Sequence, residues 1–229
     1  MTGTVINSVA IILGGFIGLL IKNGLKDRFK TIIMQGISLS VITTGLMGAL
    51  KSENFLLVII SIVIGSIIGE GINIDNKLNT LGNWLESKFG RRDTEFSKGF
   101  VTASLIFCVG AMAIMGALES GLTGSHQTLF VKSALDGVSS IIFASTFGIG
   151  VIFSSISVFI YQGVITMLAS IIKPFLTPNI INEMSAIGGI LIMGIGINVL
   201  ELKRINVANM LPAIFIPLIY FAIKVFLGL

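Results

Sequence analysis

Apolar residues fall in stretches of membrane-crossing length, closed off by short polar clusters. A transmembrane helix needs about 20 largely apolar residues, and eight stretches approach that length. They lie at residues 5–21, 31–50, 55–72, 99–118, 129–147, 148–172, 184–200 and 207–227. The fifth contains Lys132 and Asp136 and meets the sixth through Thr146-Phe147-Gly148-Ile149-Gly150, with no charged loop between them. Such a junction is a tight turn, a broken helix or the tip of a re-entrant hairpin, because irregular backbone at membrane depth is tolerated only where protein or a cavity satisfies it. The pattern therefore predicts an all-α, polytopic integral membrane protein, a single transmembrane domain over residues 1–229 with about eight transmembrane helices. Seven spans plus a re-entrant hairpin over residues 129–153 is the alternative.

The third and fourth spans are separated by a polar interval, residues 73–98, in which Leu78, Leu81, Trp84, Leu85 and Phe89 recur at spacings of three and four. That periodicity predicts an amphipathic helix on the membrane surface with Trp84 as interfacial anchor, or else an ordinary connecting helix with a solvated charged face. Basic residues set the orientation. Lys22, Lys26, Arg28 and Lys30 follow the first span, Lys77, Lys88, Arg91, Arg92 and Lys98 the third, and Lys203 and Arg204 the seventh. These are eleven of the 15 basic residues. The positive-inside rule places all three loops in the cytoplasm and both termini outside. The first span has its basic cluster after it, the wrong order for a cleavable signal peptide, so it is expected to remain in the mature protein.

Composition narrows the function classes. With 54% hydrophobic and 11% charged residues and a mean hydropathy of +1.00, most of the chain cannot face water. Soluble-enzyme and nucleic-acid-binding readings are excluded. The net charge of +4 reports topology, not an acidic partner. One cysteine, Cys108, and one histidine, His126, preclude an intramolecular disulfide and the usual zinc sites, leaving only carboxylates and backbone oxygens for any metal. No nucleophile-base arrangement and no phosphate-binding loop is found, so neither an enzyme nor a cofactor is expected.

Two internal matches suggest helix-pair repeats. Ile11-Ile12-Leu13-Gly14-Gly15-Phe16-Ile17-Gly18 parallels Ile62-Val63-Ile64-Gly65-Ser66-Ile67-Ile68-Gly69, and Met47-Gly48-Ala49-Leu50 parallels Met115-Gly116-Ala117-Leu118. A weaker echo, Gly194-Ile195-Gly196-Ile197-Asn198-Val199-Leu200, ends at the opposite face and suggests an inverted C-terminal half. Gly14 with Gly18, and Gly65 with Gly69, lie four apart on one helix face and predict close helix contacts, within the chain or in a homo-oligomer.

Polarity at membrane depth marks the candidate chemistry. Asp136 leads, with Lys132 four residues before it on the same face, and Ser133, Ser139 and Ser140 beside them. A charge near the bilayer centre costs at least about 2.5–3.5 kcal/mol, so such residues face a cavity or one another. The structural alternative has Lys132 reaching the interface and Asp136 capping a helical segment that starts at Gly137. Gln162, beside Gly163, and Asn198 are further candidates for binding a solute or ion, although amides also hold helices together. Gly137, Gly148, Gly150, Gly194 and Gly196 are expected backbone breaks that present dipoles to a ligand. Glu70 is a minor candidate.

Gly3-Thr4-Val5-Ile6-Asn7, Met34-Gln35-Gly36-Ile37, Lys132-Ser133-Ala134-Leu135-Asp136-Gly137, Tyr161-Gln162-Gly163, Glu183-Met184-Ser185-Ala186-Ile187-Gly188-Gly189 and Val207-Ala208-Asn209-Met210-Leu211-Pro212-Ala213 occur together along the chain. In combination the chain resembles the bacterial membrane family labelled domain of unknown function 554, with its YqgA-like and YdfK-like members. That resemblance covers nearly the whole chain. It implies a bacterial inner-membrane protein of a family often described as transporters, and supplies no substrate or site residue. The expected function is secondary transport of a small solute or ion, sodium- or proton-coupled or facilitated, with elevator-like alternating access. An ion channel and a noncatalytic scaffold or regulator are the rival classes. The expected partners are the lipid bilayer, the solute and further copies of the chain.

Overall fold

In lipid, only a structure that satisfies its own backbone survives, so long apolar runs become helices. A computed structural model describes residues 1–22, 27–89, 95–108, 111–172 and 176–226. Lys26, Arg91 and Arg92 of the basic loops, and the side chain of Phe89, lie outside what is described. The order is α1 (Thr2–Lys22), α2 (Asp27–Ala49), α3 (Phe55–Ile72), α4 (Ile74–Phe89), α5 (Phe96–Cys108), α6 (Ala111–Leu122), α7 (Gln127–Phe147), α8 (Gly150–Met167), α9 (Ala169–Ile172) and α10 (Pro178–Val199). A 3-10 helix (Val207–Phe215) and α11 (Ile216–Phe226) follow.

Among the described residues six helices are long and apolar enough to cross a membrane, and the pair Phe96–Cys108 with Met112–Leu122, bent by 61°, makes up to seven. The fifth and sixth expected spans are two full helices, α7 and α8. They meet at Gly148, whose φ of 83° and ψ of −155° belong to a region open essentially to glycine alone, so the junction is a tight turn. The eighth expected span is not a single long α-helix. Pro212 lies inside its first half, which winds as a 3-10 helix, since proline lacks an amide donor and crowds the preceding turn. Gly137, Gly194 and Gly196 do not break their helices. They lie within α7 and α10, where they leave room for neighbouring elements.

The chain forms two units, each built from segments distant in sequence. In the first, drawn from Met1–Met34, Lys77–Cys108 and Met112–Ser170, α1 packs against both α7 and α8. Gly3 faces Leu129 and His126, Gly14 faces the carbonyl of Gly137, and Gly18 faces the carbonyl of Ile141. The ascending register on both helices makes α1 and α7 parallel. Ser8 lies at Ser155 and Gly15 at Ile152, so α1 and α8 are antiparallel. The bent pair runs back along α7: Gly99 faces Phe147, Phe107 stacks near Phe143 and Gly116 faces Leu129. Beneath this bundle α4 buries Leu85 against Phe96 and Phe100, while Leu81 and Trp84 stay exposed and Lys88 caps the Trp84 ring at 4.5 Å.

The second unit contains Gln35–Asn76 and Ile171–Leu229. Gly45 and Gly48 of α2 face Gly189 of α10, and Gly196 faces Ser38 and Ile42, so the two helices are antiparallel. Gly65 and Gly69 of α3 face Ala213 and Asn209 of the 3-10 helix. Both glycine pairs singled out in the sequence are thus used inside the chain, where a Cβ would meet backbone.

Candidate functional site

The polar residues of α1 follow helical spacing: Thr4, Asn7 and Ser8 share the buried side with Ile11 and Gly14. Packing that side on α7 brings Asn7 to Asp136 across 129 positions of sequence. Its Nδ2 donates to Asp136 Oδ2 at 3.0 Å. Lys132 Nζ donates to Asp136 Oδ1 at 3.0 Å and lies 2.8 Å from Oδ2, so the ammonium bridges both carboxylate oxygens. Asn7, Lys132 and Asp136 are 0%, 7% and 6% exposed. With a rise of 1.5 Å per residue, Asp136 lies about 14 Å into α7, near the middle of a membrane-length helix.

Lys132 therefore does not reach toward an interface, and Asp136 caps no helix, because α7 continues through Gly137. The other sequence candidates divide. Ser133 turns its hydroxyl back to the Leu129 carbonyl at 2.6 Å, Ser139 is half-buried, and Ser140 is fully buried one turn beyond Asp136, beside Gly14. The Ser140 hydroxyl and both amide atoms of the fully buried Gln162 have no hydrogen-bond partner among the described residues. The same holds for Thr4 Oγ1 and Asn7 Oδ1.

Asn198 belongs to the second unit and has a local task. Its Nδ2 donates to the Ile205 carbonyl at 2.8 Å and its Oδ1 accepts from the Ile205 amide at 2.7 Å, closing the loop after α10. Glu70 accepts from Asn209 Nδ2 at 2.6 Å, while Asn209 Oδ1 accepts from the Asp75 amide at 2.6 Å. Sequence reasoning assigns no role to Asn7 or to Glu183. The carboxylate of Glu183, 2% exposed, accepts from Ser52 Oγ at 2.7 Å and from the amides of Glu53 and Asn54 at 2.9 Å. It thereby ties the α2–α3 turn to α10. Asn7 is legible as one member of the polar and small stripe Gly3, Thr4, Asn7, Gly14, Gly18, but its partner is not. Glu183→Ala should lower stability by about 2 kcal/mol or more by leaving two backbone donors without their charged acceptor, as read in thermal unfolding in detergent.

Among the described residues no three His, Cys, Asp or Glu side chains converge to hold a metal. What the first unit offers is one buried ion pair and a group of amides and hydroxyls.

Comparison with known proteins places this architecture. The model of the family described as protein of unknown function (DUF554) matches residues 2–222. The chain belongs to the DUF554 family. It is 35% identical over 231 residues to the uncharacterized membrane protein YdfK of Bacillus subtilis (strain 168), covering 99% of this chain and 98% of that protein. It is 29% identical over 221 residues to the uncharacterized protein YqgA of Escherichia coli (strain K12), covering 94% of each. No solved structure matches. The apolar helices and the membrane relative together make this DUF554 chain a multi-pass membrane protein.

Proposed function

We propose that this DUF554 protein is a secondary transporter of a small solute or ion in the bacterial inner membrane, with the Lys132–Asp136–Asn7 centre as the place where charge is handled. The reading is carried by a single observation: an ion pair buried at mid-helix in the first unit, held by a third residue from another helix. Replacing a buried pair by apolar groups is often neutral or stabilising, so its presence at membrane depth argues for a task other than holding the fold.

The topology belongs to the same reading. α1 and α7 are parallel, α2 and α3 are each long and apolar enough to cross a membrane, and the bent pair accompanies α7 along its length. The bent pair then counts as one crossing. The 3-10 helix and α11 together reach about 34 Å at 2.0 and 1.5 Å per residue, enough for the hydrocarbon core of about 30 Å. Eight crossings result, with the basic loops inside. Reporters fused after Lys26, Arg91 and Lys203 should all read as cytoplasmic; one that reads outside overturns this arrangement. The repeats suggested by the paired glycine segments, an inverted C-terminal half and elevator-like movement remain part of the proposal. So does a homo-oligomer on lipid-facing surfaces, which a native mass measurement finding only monomer would remove.

The function is tested by flux in reconstituted vesicles. The double variant Lys132→Met/Asp136→Asn should stay folded, because no charge is left unpaired, and should lose coupled flux. Wild-type flux in that variant would take this centre out of the mechanism.

A further inference from the structure

We infer that the interior of the first unit binds a small zwitterion whose two charges sit close together, as in an α-amino acid, by opening the Lys132–Asp136 pair around it. The inference rests on the carrier reading above and names its substrate class.

Charge balance selects the ligand. A lone cation drawn to Asp136 would leave the buried Lys132 ammonium uncompensated, and a lone anion drawn to Lys132 would leave the Asp136 carboxylate uncompensated. An unpaired buried charge is the costly state. A zwitterion offers an anionic group to Lys132 Nζ and an ammonium to Asp136, so each partner exchanges one opposite charge for another. The centre is neutral before and after. Lys132 and Asp136 are one helical turn apart with converging side chains, which favours a ligand whose two charged groups are attached to one carbon over one with charges at the ends of a chain.

The surroundings supply the remaining hydrogen bonds. Asn7 Oδ1, Thr4 Oγ1 and both amide atoms of Gln162 belong to fully buried side chains and have no partner among the described residues. Buried polar groups left so are rare and costly, and they are what an ammonium or carboxylate with spare donors and acceptors would satisfy. The Met1 methyl lies 3.6 Å from where a Gly163 Cβ would be and Ser8 Oγ donates to the Ser155 carbonyl, so Thr4, midway between, stands within about one helical turn of Gln162 along α8. α1 therefore contributes an amide and a hydroxyl, α7 the two charges and α8 a second amide.

The test uses the full chain in lipid vesicles with a labelled mixture of the twenty α-amino acids as probe, and labelled sodium and γ-aminobutyrate as comparisons. The expected result is saturable, counterflow-competent uptake of one or more α-amino acids, with neither sodium alone nor γ-aminobutyrate handled through the same centre. Gln162→Met should raise the half-saturating concentration about tenfold, the loss of roughly one hydrogen bond, with unchanged thermal stability. That pairing of effects is not what a purely structural glutamine would produce. If no α-amino acid accumulates while sodium or proton flux depends on Asp136, the zwitterion inference falls and the carrier reading stands. If no solute or ion moves at all, both fall. Unaltered uptake in Gln162→Met at wild-type stability would remove α8 from the site and overturn the inference as drawn.

Discussion

Removing either charge of the buried pair alone, by Lys132→Met or Asp136→Asn, should destabilise the protein by about 3–5 kcal/mol, whereas removing both should cost far less than the sum. The asymmetry follows from the geometry. In Asp136→Asn the Lys132 ammonium stays in an interior that leaves it 7% exposed, and the carboxylate that paired with it is gone. In Lys132→Met the Asp136 carboxylate keeps only the neutral amide of Asn7. The double variant places a neutral amide at position 136 opposite Asn7, so that two amides can hydrogen-bond to each other, with a thioether of similar length where the lysine lay. Chemical or thermal unfolding of the four proteins in one detergent closes the cycle. Additive losses would mean that the two side chains do not act as a pair.

The second large effect is expected on the other side of the same contact. Gly14→Leu should separate α1 from α7, because the new Cβ would collide with the Gly137 carbonyl and with Ser140 at 3.2 Å. Overpacking usually costs about 1–3 kcal/mol, and a backbone obstacle leaves the least room to adapt. Loss of the α1 register would also withdraw Asn7 from Asp136, so flux should fall together with stability. Gly36→Ala is the control, since nothing lies within 4 Å of a Cβ there; it should leave unfolding unchanged. An equally small effect at Gly14 would mean that α1 can slide on α7.

The small-residue spacing also shows how a sequence signal can be right in kind and open in its object. Gly14, Gly18, Gly65 and Gly69 announced close helix approach, and close approach is what they provide. Their partners lie more than a hundred positions further on, or in a 3-10 helix that hydropathy presents as an ordinary span. The amphipathic interval resolved in a similar way. Its periodicity marked a helix, but Leu85 is held by Phe96 and Phe100, while Leu81 and Trp84 are left exposed on α4.

The sequence by itself determined what depends on neighbours along the chain: helices, their membrane length, the basic loops between them, and the Lys132–Asp136 pair, whose spacing of four places both on one helix face. Backbone hydrogen bonds in lipid must be made within a few residues, which is why those features are legible locally. Tertiary structure alone decided which helices meet. It brought Asn7 to Asp136, set Glu183 under the α2–α3 turn, gave Asn198 to the Ile205 backbone and enclosed Gln162 without a partner among the described residues. Side-chain packing between distant segments leaves no local period to read, because polar and small residues on a membrane helix state only that something is approached, and the complementary surface lies elsewhere in the chain.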